Sequence, residues 1–300
     1  MLFFAGLFLF LLGIEGSKRS LNKFSEALVG NILLMLDKSF FLSIIAGVFV
    51  TCIIQSSSAV TIILIAMLNA GLIKYKPALG IMMGANIGTT VTVQIISFPV
   101  FKIYPFLLLM GIIIIFLGRK RKNIFLVGTV IFCFAVIFAG LDQMTNYFQQ
   151  GKINLLKALL LKAENGRLAG ILLGLVLTAL IQSSSLITGI TVSMAYSSSI
   201  TLSTAVAVAL GSNIGTCFTG FLAAINTDRI SRSLAIGQLI YNIIGVAALL
   251  PLYNLFIWFI MYSADTLPRQ IANAHTLFNI FNLLIFLPFA DNFISWLRRE

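Results

Sequence analysis

The sequence predicts an all-α, polytopic membrane protein built from two inverted-topology repeats, each with a re-entrant helical hairpin. Three observations lead there. Of its 300 residues, 59% are hydrophobic and 10% charged, with a mean hydropathy of +1.05, which is far too apolar for a soluble domain. The polar string Gln55-Ser56-Ser57-Ser58 recurs as Gln182-Ser183-Ser184-Ser185, and each copy is followed by a second matching string, Gly84-Ala85-Asn86-Ile87-Gly88-Thr89 and Gly211-Ser212-Asn213-Ile214-Gly215-Thr216. One ungapped offset of 127 residues relates all of these, and it also aligns Gly13-Ile14-Glu15 with Gly140-Leu141-Asp142, Gly47 with Gly174 and Thr51 with Thr178. Finally, all nine carboxylates and every Lys and Arg fall at the ends of apolar runs or between them, as membrane segments require.

The same observations exclude other classes. A net charge of +11 could suggest nucleic acid, but the basic residues lie in short clusters between apolar runs, where the positive-inside rule expects them. Cys52, Cys133 and Cys217 lie within apolar stretches at no metal-ligand spacing, so they read as small core residues. The apolar stretch Leu2 to Leu12 has neither a basic segment before it nor a small-residue cleavage site after it, so it reads as a first span and not as a removed signal. No Asp or Glu is expected at membrane depth, which argues against a proton relay. A coupling ion, if one is used, should be one that neutral oxygens can hold.

Taken in order, the first unit covers residues 1–118. A span over Leu2–Ile14 meets Lys18, Arg19 and Lys23, and that end is placed in the cytoplasm. Ser20–Lys38 mixes leucines and polar residues at helical spacing and reads as an interfacial helix. Phe40–Ile54, the Gln-Ser-Ser-Ser break and the run to Leu68 are each short of the roughly 20 residues of a span, and together read as a hairpin with its tip near mid-membrane. From Pro77 to about Phe98 a helix with Gly84, Gly88, Asn86, Thr89, Thr90 and Thr92 is expected to be unwound or closely packed. Tyr104–Gly118 recrosses to the basic cytoplasmic loop 119–123.

Three crossings separate the starts of the two units, so the second, residues 124–250, enters with the opposite orientation. It repeats the interfacial helix over Gly151–Glu164, the hairpin over Leu168–Ala195 and the broken helix over Ile200–Ile225, bringing the two tips together at mid-membrane. Leu234–Leu250 crosses outward, and Tyr253–Tyr262 is short for a span. In the C-terminal segment 251–300, Ile271–Phe289 returns to a cytoplasmic Arg298-Arg299. About seven spans result, with the N-terminus outside; Lys152, Lys157, Lys162 and Arg167 then lie outside, against the charge rule but on an amphipathic helix.

Paired Gln-Ser-Ser-Ser strings, each followed by Gly-x-Asn-Ile-Gly-Thr, resemble the type II sodium/phosphate cotransporters and their bacterial relatives, over roughly Gly13 to Phe289. The resemblance implies sodium-coupled transport of inorganic phosphate across the plasma membrane by alternating access, with no enzymatic activity. It implies phosphate contacts from Ser56, Ser57, Ser58, Asn86, Ser183, Ser184, Ser185 and Asn213. It places sodium, Na+, at Gln55, Gln182, Ser183, Thr216 and Thr219, with Thr89 and Thr92 in the same set. Animal members carry a His-x-x-Phe-Asn-like string after each Asn-Ile-Gly-Thr. Here Gln238-Leu239-Ile240-Tyr241-Asn242 follows the second, none follows the first, and His275-Thr276-Leu277-Phe278-Asn279 stands in the last span. Membrane lipid is the other expected partner, and a homodimer is left open.

The chemistry fits that solute. With no Lys or Arg expected at the site, two helix N-termini beginning at the serines would supply about half a positive charge each, plus unpaired N–H donors. Gln and Thr oxygens suit a hard cation, and a cation beside the anion offsets its charge in a low-dielectric site. The plainer reading of one Ser-rich tract is helix packing, but two tracts with matched partners favour a site. His275 reads as a hydrogen-bonded structural group, and Ser197-Ser198-Ser199 as a loop. Alternatives are an anion channel or an exporter without sodium coupling, and a membrane-embedded serine hydrolase, for which the only His has no carboxylate near it in sequence.

Overall fold

The computed structural model describes residues 2–34, 39–98, 103–151, 155–162 and 166–297. Every regular element among them is helical. The first departs from expectation: the apolar run and the amphipathic stretch after it form one helix, α1 (Leu2–Leu34). Residues 35–38 of the expected interfacial helix lie outside the described residues. The charges do not end α1 because Glu, Lys and Arg are good helix formers, and Glu15 pairs with Arg19 one turn on at 2.7 Å.

Next come α2 (Phe40–Ile54), α3 (Ser57–Asn69), α4 (Tyr75–Ile96) and α5 (Tyr104–Leu117). The second half repeats α2 to α4 after α6 (Lys122–Gln149) and the short α7 (Leu155–Lys162): α8 (Arg167–Ile181), α9 (Ser184–Tyr196) and α10 (Leu202–Ala224). A third group closes the chain. α11 (Arg229–Leu249) continues through one tight turn into α12 (Tyr253–Met261), so the stretch that looked too short for a span prolongs a helix, and α13 (Leu267–Phe286) leads to α14 (Ala290–Leu297).

Glycine positions explain the packing, and of the two expectations for these helices, unwinding and close packing, the second is the one present. α4 and α10 are continuous through Gly84–Thr92 and Gly211–Thr219, with no unwound segment. Their glycines serve close approach instead. A side chain on Gly84 would strike the carbonyl of Ile44, and one on Gly88 that of Val48; in the second repeat Gly211 meets Ile171 and Gly215 meets Leu175. Conversely Gly47 of α2 lies on Ile81 and Gly174 of α8 on Val208. Every one of these contacts maps onto its partner under the 127-residue offset. Small residues that let two backbones touch are the usual seam of helices in lipid.

The two halves meet reciprocally along α1 and α6. Gly6 lies against Gly140, and Gly13 against Cys133; Gly140 meets Phe10, and Gly13 meets Ile137. Under the offset, Gly6 corresponds to Cys133, Phe10 to Ile137 and Gly13 to Gly140, so each contact is present twice with the roles exchanged. The numbering shows the two helices antiparallel.

Five helical stretches among the described residues are long and apolar enough to cross a membrane: Tyr75–Ile96, Lys122–Gln149, Leu202–Ala224, Arg229–Met261 and Leu267–Leu297. The count is below seven because α5 has only 14 residues, about 21 Å of helix against a hydrocarbon core of about 30 Å, and α1 carries Glu15, Lys18 and Arg19 within its length. Phe4, Phe49, Phe106, Leu117 and Leu180 are exposed on the exterior, as a lipid-facing surface needs.

Candidate functional site

Each Gln-Ser-Ser-Ser string is a helix break with one detailed geometry. Gln55 ends α2 in the left-handed conformation (φ 54, ψ 30), its N–H donating to the Thr51 carbonyl, after which Ser56 turns extended (φ −154, ψ 103) and caps α3 by accepting from the Ala59 N–H at 3.2 Å. Gln182 (φ 57, ψ 28) and Ser183 (φ −143, ψ 97) do the same between α8 and α9, with the Ser183 hydroxyl accepting from the Leu186 N–H at 3.3 Å. The serine caps only the third residue of each helix. The N–H groups of Ser57 and Ser58, and of Ser184 and Ser185, have no intrahelical carbonyl to bond.

The break is strained by sequence. A left-handed backbone suits glycine and costs another residue of order 1–3 kcal/mol. Apart from Ser198 in the turn after α9, Gln55 and Gln182 are the non-glycine residues among those described that adopt it. Glutamine stands at that position in both repeats.

Both tips border one small, partly open cavity, with about 30 Å³ of room for the centres of water-sized molecules. It is lined by Gln55, Ser56, Ser57, Ser58, Thr89, Gln182, Ser183, Ser184, Ser185 and Lys18. The sequence-predicted meeting of the tips is therefore present. Burial is unequal: Gln55 is 6% exposed, whereas its counterpart Gln182 is exposed.

Other candidates stand elsewhere. Asn86 and Asn213 do not line the cavity. The Asn86 amide donates to the Asn242 side chain at 3.3 Å, and Asn213 Oδ1 lies 3.1 Å from His275 Nε2. His275 is thus tied to the second Gly-x-Asn-Ile-Gly-Thr string and not to a cavity serine. Thr216 is likewise outside the lining and turns its hydroxyl back onto the Ser212 carbonyl at 2.8 Å, as Thr89, inside it, does onto Ala85 at 3.0 Å. Thr92 and Thr219, a matched pair under the offset, each hold a buried hydroxyl with no hydrogen-bond partner, also outside the lining.

Lys18 overturns the expectation that no cation reaches this place. Because α1 does not stop at Ile14, its next turn carries Lys18 to the two tips. A charge cluster at the end of an apolar run marks cytoplasmic loops in most membrane proteins, so the sequence read Lys18 as a loop residue and not as part of a cavity wall. The signal that could have found it is local: Ser17, Lys18 and Ser20 follow Gly13 and Gly16 at helical spacing, with Ser17 and Ser20 buried.

Comparison with known proteins follows the same division into halves. The family described as Na+/Pi-cotransporter matches twice, over residues 9–146 and 139–280. The chain is 30% identical to the uncharacterized protein YqeW of Bacillus subtilis (strain 168) over 97% of its own length and 94% of that protein's. It is 26% identical to the protein named "Putative inorganic phosphate export protein YjbB" of Escherichia coli (strain K12), over 83% of its own length and 46% of that protein's, so it spans about half of YjbB. A 54-residue stretch is 43% identical to sodium-dependent phosphate transport protein 2A of Oryctolagus cuniculus, covering 18% of the chain and 8% of that transporter. No solved structure matches the chain. With both halves matched across nearly the whole length, the chain belongs to the Na+/Pi-cotransporter family.

Proposed function

We propose that this protein carries inorganic phosphate across the plasma membrane in symport with sodium, by alternating access between two inverted repeats. The observation that carries the reading is the convergence of two serine-capped helix N-termini on one cavity. Such ends offer oriented N–H donors and a positive dipole, and six serine hydroxyls around them can accept or donate. A tetrahedral oxyanion needs that kind of lining.

Sodium is supported by the oxygen atoms and not by any acidic cluster. Gln55 and Gln182 bring side-chain carbonyls to the cavity, and Thr92 and Thr219 hold partnerless hydroxyls in matching positions. These are neutral hard donors suited to such a cation. Alternating access is supported by the reciprocal α1 to α6 contact and by the unequal burial of Gln55 and Gln182. In a carrier of two inverted halves, exchanging the two local arrangements opens the other side.

Reconstitution in liposomes tests the reading. Labelled phosphate uptake should require an inward sodium gradient and fail with potassium or choline, and arsenate, nearly isosteric, should compete. The name of YjbB favours a second reading, outward movement of phosphate. Equal flux under all three cations would remove sodium coupling, net efflux from loaded liposomes would establish the second reading, and no phosphate flux from folded protein would remove both.

A further inference from the structure

We infer that Lys18 is the anion-recognising cation of this cavity, and that its ammonium, more than either helix dipole, sets the affinity for a tetrahedral oxyanion. The inference rests on the phosphate reading above and adds to it the one full charge at the site.

Lys18 is the charged residue among those that line the cavity. It is half-buried, on a helix whose neighbouring Ser17 and Ser20 are buried and bonded to their own backbone, at the carbonyls of Ile14 and Gly16. Both hydroxyls donate to those carbonyls, and neither carries a charge that could offset the ammonium. Glu15 is near enough to act on Lys18 electrostatically, but its carboxylate is bonded to Arg19 Nε at 2.7 Å, in an exposed pair. No hydrogen bond or ion pair to Lys18 is found among the described residues. An ammonium held half out of water has three donors to place, and the surface it faces consists of neutral hydroxyls and amides. An incoming oxyanion supplies what that surface lacks.

The repeat gives an independent comparison. Under the 127-residue offset the counterpart of Lys18 is Thr145, whose hydroxyl lies 3.2 Å from the Ser193 hydroxyl of α9 in a buried contact. In the second half this position ties α6 to α9. In the first half the same position carries a charge to the cavity. The paired arrangement therefore holds two dipoles but one ammonium, which makes the site asymmetric in charge where it is symmetric in hydroxyls.

The step is one of binding: the ammonium keeps its proton and donates it in a charge-assisted hydrogen bond to an oxygen of the anion. Such bonds are stronger than neutral ones, and removing the charge should weaken anion binding about ten- to a hundredfold.

The test uses the full chain, purified and in lipid nanodiscs, with labelled inorganic phosphate as probe. Binding and proteoliposome uptake are compared for wild type, Lys18→Met, Lys18→Gln and Lys18→Arg, with the thermal midpoint measured without phosphate. We expect Lys18→Met and Lys18→Gln to raise the phosphate Kd and the uptake KM at least about tenfold, to leave the phosphate-free midpoint at or above wild type, and to be rescued by Lys18→Arg. Phosphate affinity in both neutral variants within about threefold of wild type, or equal loss in Lys18→Arg, would overturn the assignment while leaving the phosphate reading intact. A wild type that binds no phosphate would overturn both.

Discussion

Gln55 and Gln182, 127 residues apart in the chain, both end a helix in the left-handed conformation and both line the same cavity. Glycine would adopt that backbone without strain. Gln55→Gly and Gln182→Gly should therefore leave stability within about 1 kcal/mol of wild type and cut phosphate uptake at least tenfold. Thermal unfolding and uptake measured on the same preparation check both halves of the statement. Lost stability with retained uptake would mean that the glutamines serve the fold.

The glycine seams make a prediction about folding alone. Gly211→Ala sets a methyl against the Ile171 backbone, and Gly84→Ala against that of Ile44. Each should lower stability by about 1–3 kcal/mol. Gly166→Ala is the control, since none of the described residues lies against it and its backbone is extended at φ 162. It should be neutral in the same thermal assay.

One difference between the halves can be repaired. The Thr178 hydroxyl lies 2.7 Å from that of Ser212, whereas the matching Thr51 hydroxyl is buried without a partner because Ala85 stands where the second half has serine. Ala85→Ser should restore the bond and stabilise the protein by about 1 kcal/mol. An unchanged or lowered midpoint would show that the first half has no room for it.

His275 and Asn213 give a prediction of separation. His275→Ala removes the partner of Asn213 Oδ1 in a part-buried contact and should cost about 1–3 kcal/mol, yet neither residue lines the cavity. The phosphate KM of the folded variant should stay within about threefold of wild type. A large rise in KM with normal stability would put the pair in the transport site.

Much of this was legible because it was written twice. The offset of 127 residues located both tips before any coordinate, and the opposed orientation of the two units brought them together. What could not be read depended on direction and depth. A run of Glu15, Lys18, Arg19 and Lys23 looks the same whether a helix leaves the membrane there or bends its polar face toward a cavity, and only α1 running on through Leu34 decides it. Gly84 and Gly211 suggest an unwound helix or a seam with equal force, and contact with Ile44 and Ile171 selects the seam. Asn86 and Asn213, spaced from the tips like ligands, are held by Asn242 and His275 from the third group of helices, whose pairing no repeat could foretell.

The central claim is that two motifs form one anion site. Equilibrium binding of labelled phosphate to the purified protein tests it most directly, with Ser57→Ala and Ser184→Ala made singly. The account predicts one phosphate per chain in the wild type, with affinity lowered by either substitution. Two phosphates per chain, or loss confined to one of the two variants, would contradict it.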